Sequence, residues 1–301
     1  MRRIFLHVIF HLVTFDLMAQ QDEQISFYQY NQVTFNPSYA GMRGRLSCAA
    51  ISRFQWVNFS GAPSSQWLSI HSSIFKNRIG IGTNFIHDKI GMRRRTGVNL
   101  CAAGGIKLNE NEQVRLGLSV GFDQFQIDFS NAIVNDQNDA LAKYNFSTIR
   151  LNAGLGIYYG GKKFNFSFSI PRIFPQTTMS NQIDLNLYSP HYYLSGSREF
   201  EINARLQWRQ SVLLKYVRNT PITVDINSTL IVKDQFHIGT LYRIHEAIGI
   251  FGLLRVKEQL NVGYNYDFPI NGLFSYQKGT HEVMLQFELK EITKGESEPK
   301  F

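Results

Sequence analysis

The amino-acid sequence predicts an all-β protein, a transmembrane antiparallel β-barrel of about 14 strands. Three observations predict this fold. Apolar and polar residues alternate along most of the chain, as in β-strands with one apolar and one polar face. The predicted strands are joined by short and long connections in turn. The N-terminus has the pattern of an export signal, and no later apolar run is long enough for a membrane-spanning helix. Aromatic residues, which suit pleated and half-buried strands, make up 14% of the 301 residues.

Residues 1–19 have the pattern of a signal peptide. Arg2 and Arg3 provide a positive start, an apolar stretch runs from Ile4 to Met18, and Ala19 precedes a polar segment. A transmembrane anchor is the alternative, but the stretch is shorter than the roughly 20 apolar residues of such a helix, and Asp16 interrupts it. We therefore expect export and cleavage near Ala19.

The remaining chain divides into three predicted parts. Residues 20–44 do not alternate cleanly and form either a periplasmic segment or a segment that folds into the lumen. Residues 45–290 form the outer-membrane barrel, and residues 291–301 form a polar periplasmic tail. An even number of strands places both ends of the barrel in the periplasm.

The alternation is clearest between Ile149 and Tyr159. Odd-numbered positions there carry apolar side chains or Tyr, and even-numbered positions carry Arg, Asn, Gly and Tyr. Because successive side chains of a strand point to opposite faces, this segment has one apolar and one polar face. A soluble sandwich also alternates. Strands of about 10 residues and a polar face rich in Gly, Asn and charge favour a membrane barrel with a wet lumen.

The connections between the strands fall into two classes. The tight ones are Lys76–Arg78, Asn109–Glu112, Gly160–Lys163, Lys233–Gln235 and Lys257–Gln259. The longer ones are Val57–Ser64, Asp88–Arg95, Asp128–Asn145, Pro171–Pro190 and Asn271–Gly279. Outer-membrane barrels combine short periplasmic turns with longer outer loops in this way.

Strand parity places a set of charged side chains on the lumen face. They are Arg53, Arg115, Asp123, Arg150, Asp225, Arg243, Arg255, Asp267, Glu282 and Glu288. These charges form a selective pore, a polar network that plugs the lumen, or the solvated and paired interior that is general to such barrels.

Composition and motifs argue against other classes of function. The formal net charge is +8, but the basic residues are scattered apart from Arg93, Arg94 and Arg95, so nucleic acid is not an expected partner. His281-Glu282 lacks the second His of a zinc-protease helix. No nucleophile elbow or phosphate-binding loop occurs. We predict no catalytic residue, no cofactor and no metal site, and therefore no enzyme.

Three sequence motifs together resemble a known family. They are Asn36-Pro37-Ser38-Tyr39-Ala40-Gly41, Gln55-Trp56-Val57-Asn58-Phe59-Ser60-Gly61-Ala62-Pro63 and, late in the chain, His281-Glu282-Val283. As an ordered set they resemble the PorP/SprF family of the type IX secretion system, over nearly the whole mature chain. Asn58 is a departure, because many relatives are expected to have Gly there.

The resemblance implies a non-enzymatic outer-membrane barrel of the secretion and gliding apparatus. Such a protein supports export or surface anchoring of a specific partner, such as an adhesin. The expected partners are a secreted or surface adhesin-type protein, periplasmic and outer-membrane components of the apparatus, and outer-membrane lipid. The alternative is an outer-membrane porin or solute channel.

The predicted partner-binding residues come from the first two motifs. They are Asn36, Pro37, Tyr39, Gly41, Trp56, Phe59, Gly61, Ala62 and Pro63. Trp56 and Phe59 fit two interpretations, an aromatic belt at the membrane interface and a partner-binding rim.

Overall fold

The computed structural model describes residues 23–75, 78–129, 145–180, 183–257 and 259–289. The predicted signal peptide (1–19) and C-terminal tail (291–301) lie outside the described residues. Fourteen antiparallel strands close into a barrel, and a separate two-stranded hairpin is inserted before the tenth strand. This confirms the predicted fold class and the predicted number of barrel strands.

The strands have the following bounds. They are β1 (Ser47–Phe54), β2 (Ser64–Ile74), β3 (Ile79–Ile90), β4 (Arg93–Lys107), β5 (Glu112–Ile127), β6 (Phe146–Gly161), β7 (Phe164–Ile170), β8 (Gln176–Ser180), β9 (Ile183–Tyr188), β10 (His191–Asn203), β11 (Leu206–Val217), β12 (Thr223–Val232), β13 (Phe236–Arg243), β14 (Ala247–Lys257), β15 (Leu260–Pro269) and β16 (Thr280–Glu288). Strands β8 and β9 form the inserted hairpin, and β1 pairs with β16 to close the barrel.

Apolar side chains cover the outside of the barrel. Leu118 is 68% exposed and Leu151 is 79% exposed, whereas Asp123 and Asn227 are fully buried on the lumen side. This distribution is the reverse of that in a soluble protein, because lipid contacts the outer face of a membrane barrel. Within the described ranges, no helix is long and apolar enough to cross a membrane.

The two ends of the barrel differ in their connections. At one end, called the turn end, β1 begins, β16 ends, and short links join pairs such as β4–β5 and β6–β7. The opposite end, called the loop end, carries the links 55–63, 128–145, 171–190 and 270–279. Bacterial barrels direct their short turns to the periplasm, so we assign the turn end to that side.

The predicted long connection Asp88–Arg95 is wrong. Strands β3 and β4 continue to Ile90 and Arg93, and Asp88 lies directly opposite Arg95 in their ladder. Gly91, with a φ of +56°, makes the tight turn, because Gly adopts this left-handed conformation at no steric cost. The charged residues near this hairpin resemble a loop in sequence, but they continue paired strands.

Residues 23–46, called the plug, fill the lumen. Of the predicted segment 20–44, the described residues 23–44 belong to this plug. Two short 3-10 turns, Gln32–Thr34 and Pro37–Tyr39, give the plug its local structure. Its apolar residues pack against the wall; Phe27 and Tyr30, for example, join a buried cluster with Trp67 and Phe251.

The plug runs along the barrel from one end to the other. At the loop end, Glu23 pairs with Arg95, which lies close to the β3–β4 hairpin. At the turn end, Arg43 and Arg45 both pair with Glu288, near the end of β16. The chain then enters β1, so the plug passes through the lumen from the loop end to the turn end.

Candidate functional site: the plugged lumen

A buried charged cluster holds the first part of the plug. The Glu282 carboxylate accepts hydrogen bonds from the backbone N–H groups of Ser26, at 2.9 Å, and Phe27, at 2.8 Å. Arg53 lies opposite Glu282 in the β1–β16 ladder and contacts it at 2.8 Å, while its other terminal nitrogen contacts Asp267 at 2.7 Å. We call Ser26, Arg53, Asp267 and Glu282 the anchor cluster. Because Arg53 and Glu282 are at most 1% exposed, each charge depends on the other.

A second group of charges extends the anchor cluster around the wall. Arg243 and Asp225 face each other across β12 and β13, with their side chains 3.0 Å apart. Lys215 of β11 contacts Asp225 at 2.9 Å, and Arg243 approaches Asp267 at 3.6 Å. The network therefore joins six strands to the plug. Its charges are paired and hydrogen-bonded, because a buried ionic network is stable only when its members have partners.

A third cluster holds the plug at the loop end. Arg95 of β4 contacts Asp123 of β5 at 2.8 Å and Glu23 of the plug at 2.6 Å. Both wall residues are buried. The first described residue of the plug is thus joined by a charge pair to strands that lie three and four positions around the wall from β1 of the anchor cluster.

The Asn-Pro-Ser-Tyr-Ala-Gly motif forms the middle of the plug. The Asn36 side chain accepts a hydrogen bond from the Ser38 N–H at 3.0 Å and so caps the 3-10 turn, while Pro37 has the fixed φ that suits the first position of the turn. Arg115 of β5 donates to the Ser38 carbonyl at 3.1 Å and the Ala40 carbonyl at 2.7 Å. The motif therefore encodes a turn whose polar groups the wall completes.

Glycines of the wall make room for this motif. A Cβ at Gly117 would lie 2.2 Å from the Ser38 nitrogen, and a Cβ at Gly80 would lie 1.8 Å from the Ala40 oxygen. Any side chain at these positions would overlap the plug backbone. The glycines of the lumen face thus leave room for the backbone of the plug, which packs directly against the wall.

The second motif forms a rim loop, residues 55–63, at the loop end. Val57 exchanges backbone hydrogen bonds with the β15–β16 connection, donating to Gly279 at 3.0 Å and accepting from Lys278 at 2.8 Å. Trp56 and Phe59 pack edge to face with ring centroids 6.0 Å apart. Asn58 has a φ of +69°, a conformation that Asn and Gly tolerate best, which explains why Asn can replace the Gly expected there.

The structure separates the predicted partner-binding residues into two groups. Asn36, Pro37, Tyr39 and Gly41 lie in the lumen, and the first two are buried. Trp56, Phe59, Gly61, Ala62 and Pro63 lie in the rim loop, where Phe59 is 41% exposed. The two motifs do not form one surface. A partner could reach the lumenal group only if the plug moved, and the binding role of both groups stays a prediction.

The predicted lumen residues are placed on the lumen side of their strands. Seven belong to the charged clusters or contact the motif turn: Arg53, Arg115, Asp123, Asp225, Arg243, Asp267 and Glu282. Glu282 and Glu288 bind the two ends of the plug. Arg255 donates to Asn261 at 3.4 Å, and Arg150 is half-buried on β6. Their contribution to function stays a prediction.

Sequence reasoning missed several members of these clusters. Arg95 shares its strand face with Gly97 and Cys101, so parity could have placed it in the lumen. Strand parity could also have placed Lys215 in the lumen, because it shares a face of β11 with Ser211 and Leu213. Glu23 and Ser26 lie in a segment without periodicity, and no sequence signal points to their partners. Across the described ranges, no group of three or more His, Cys, Asp or Glu side chains could hold a metal ion.

A closed barrel with an apolar exterior and a charged lumen defines an outer-membrane barrel protein. One solved structure that shares this fold is the Ralstonia pickettii toluene transporter TbuX (TM-score 0.50, 7% identity, 84% of this chain and 91% of that chain). Lower similarity is found to a Pseudomonas aeruginosa FadL homologue (TM-score 0.47, 10% identity, 84% and 92%) and to the KdgM porin (TM-score 0.42, 10% identity, 81% and 99%). At these identities the likeness concerns the fold alone.

The family is shown by the sequence. The family model described as type IX secretion system membrane protein PorP/SprF matches residues 17–287. The chain therefore belongs to the PorP/SprF family and is an outer-membrane protein of the type IX secretion system. No curated protein matches the chain in sequence.

Proposed function

We propose that this protein is a non-enzymatic docking component of the type IX secretion apparatus. It supports export or surface anchoring of a specific partner protein, such as an adhesin, and binds periplasmic and outer-membrane components of the apparatus. The observation that carries this proposal is the plug, which fills the lumen and is bonded to the wall along its length.

The plug favours docking over conduction for an energetic reason. Glu23, Ser26 and Phe27 are all bound to buried charges of the wall. Withdrawing the plug would remove the two backbone N–H donors of Glu282 and the Glu23 partner of Arg95, and a buried hydrogen bond to a charged group contributes about 1.5–3 kcal/mol. A lumen closed at this cost suits a protein that presents surfaces to other proteins.

The rim loop is the surface we assign to the partner at the loop end. Its backbone is fixed by the bonds of Val57, and it exposes Phe59 beside Ser60 and Gly61. Aromatic side chains on a rigid loop are common anchors of protein interfaces.

Deletion of the gene tests the proposal. We expect a specific secreted protein to be lost from the cell surface, as measured by surface proteolysis and mass spectrometry, and to return when the wild-type gene is restored. A Phe59→Ala variant should restore it only in part, whereas Phe236→Ala, which changes an exposed aromatic residue at the turn end of β13, should restore it fully. The proposal fails if every secreted substrate keeps its normal surface level in the deletion strain.

Planar-bilayer recording tests the rival solute channel. The docking role predicts no steady conductance from the purified protein. A steady, ion-selective conductance that Arg150→Gln or Asp225→Asn abolishes would instead support a channel lined by the charged lumen.

A further inference from the structure

A cavity lies at the turn end, between the plug and the wall. It has a volume of about 270 Å³ and is bordered by Tyr30 and Arg43 of the plug and by Arg209, His237 and Arg255 of the wall. We call it the turn-end vestibule. One water molecule needs about 15 Å³ of such space. The vestibule is many times larger, so several atoms of a bound side chain fit inside it. It is distinct from the anchor cluster, which lies in the loop-end half of the barrel.

The charges that border the vestibule are mainly positive. Arg43, Arg209 and Arg255 provide three guanidinium groups, and Glu199 is the one carboxylate among the described residues of the lining. Glu199 pairs with Arg209, with 2.6 Å between Oε1 and Nε. Within the described part of the chain, Arg255 makes one long 3.4 Å bond from Nε to the Asn261 oxygen, so its guanidinium keeps most of its donors for another acceptor.

A buried histidine, His237, also borders the vestibule. His237 is 7% exposed, and its Nε2 has no hydrogen-bond partner in the part of the chain that the structure describes. Its Nδ1 lies 3.0 Å from the Tyr30 hydroxyl. Burial raises the pKa of Tyr30 above its ordinary value, so the phenol keeps its proton. The phenol and the imidazole therefore form a neutral hydrogen-bonded pair at the border of the cavity.

From this arrangement we infer that the turn-end vestibule binds the carboxylate of an acidic polypeptide segment that approaches from the periplasm. Arg43 and Arg209 already pair with Glu288 and Glu199, whereas Arg255 has guanidinium donors left for a further acceptor. Carboxylates are the acceptors that guanidinium binds in the best geometry. The inference rests on the proposed function, because it places a polypeptide of the apparatus or its cargo at the periplasmic mouth. It adds that this site recognises its partner through a carboxylate group.

Peptide binding to the purified full-length protein tests the inference. We expect fluorescein-labelled hexaglutamate to bind in detergent solution, as measured by fluorescence anisotropy, and labelled hexalysine not to bind. Arg255→Gln should weaken hexaglutamate binding about tenfold, because one charge-assisted hydrogen bond is lost. Arg255→Lys should weaken it less, since the charge remains.

Two controls make the result decisive. Arg198→Gln removes an arginine that points outward over the Phe200 ring, with 5.1 Å between the guanidinium carbon and the ring centroid, and should leave the affinity within about twofold of wild type. Thermal unfolding should show that each variant is folded. Absence of hexaglutamate binding, equal binding by wild type and Arg255→Gln, or equal competition by inorganic phosphate at matched charge would overturn the inference. The surface assay of the deletion strain is independent, so either hypothesis can fail while the other stands.

Discussion

At the scale of single residues, the lumen shows how buried charge positions a chain segment. Glu282 accepts two backbone N–H groups of the plug and at the same time contacts Arg53. Loss of Arg53 would leave Glu282 without its cation, and loss of Glu282 would leave the buried cluster with excess positive charge although Arg53 keeps Asp267. The pair therefore fixes the position of the plug at Ser26 more strongly than an exposed ion pair could.

Glu282→Gln tests the anchor cluster. The amide cannot neutralise Arg53, so we expect the free energy of unfolding to fall by about 3 kcal/mol. Equilibrium unfolding by urea in phospholipid vesicles measures the change. Glu201→Gln is the matched control, because Glu201 and its partner Lys163 are 61% and 60% exposed, and its effect should stay within about 1 kcal/mol. Equal losses in the two variants would contradict the role of the cluster.

At the scale of elements, the plug and the wall fit each other through backbone contacts. The capped turn at Pro37 lies against Gly117, and the chain at Ala40 lies against Gly80. Leu at such a wall position cannot coexist with the plug in its observed place. The motif of the plug and the glycines of β3 and β5 therefore form one structural unit, although they are far apart in sequence.

Gly117→Leu tests this unit. The added side chain should displace the plug at a cost of about 1–3 kcal/mol, so chymotrypsin should cleave after Phe35 about tenfold faster. The rate of loss of the intact chain on a gel measures this. Gly104→Leu is the control, because Gly104 faces outward and a Cβ there meets nothing within 4 Å. If Phe35 stays equally protected in both variants, the plug does not depend on this contact.

At the scale of the whole molecule, the barrel has two chemically different ends. The loop end presents the rim loop and the charge pair of Glu23 with Arg95. The turn end presents the vestibule and the pairs of Arg43 and Arg45 with Glu288. A closed barrel with distinct ends can bind different partners on the two sides of the outer membrane.

Cysteine labelling of whole cells tests the orientation. In a Cys48→Ala, Cys101→Ala background, Ser60→Cys in the rim loop should react with a membrane-impermeant maleimide on intact cells. Glu110→Cys, in the short β4–β5 turn, should react only after the outer membrane is permeabilised, because short turns face the periplasm. The assigned orientation is wrong if Glu110→Cys is labelled on intact cells and Ser60→Cys is not.

The sequence by itself determined the fold class and the face on which Arg53, Asp225 and Glu282 lie, and it predicted a strand number of about 14, with 12 and 16 left open. These properties follow from a period of two residues, which each strand carries locally. Only the tertiary structure decided that residues 23–46 fill the lumen, that β3 and β4 meet at Gly91, and that Arg243 and Arg53 share Asp267. The plug has no periodic pattern, and its contacts join residues more than two hundred positions apart, such as Ser26 and Glu282. Such contacts depend on the register and closure of the barrel, which no local pattern encodes.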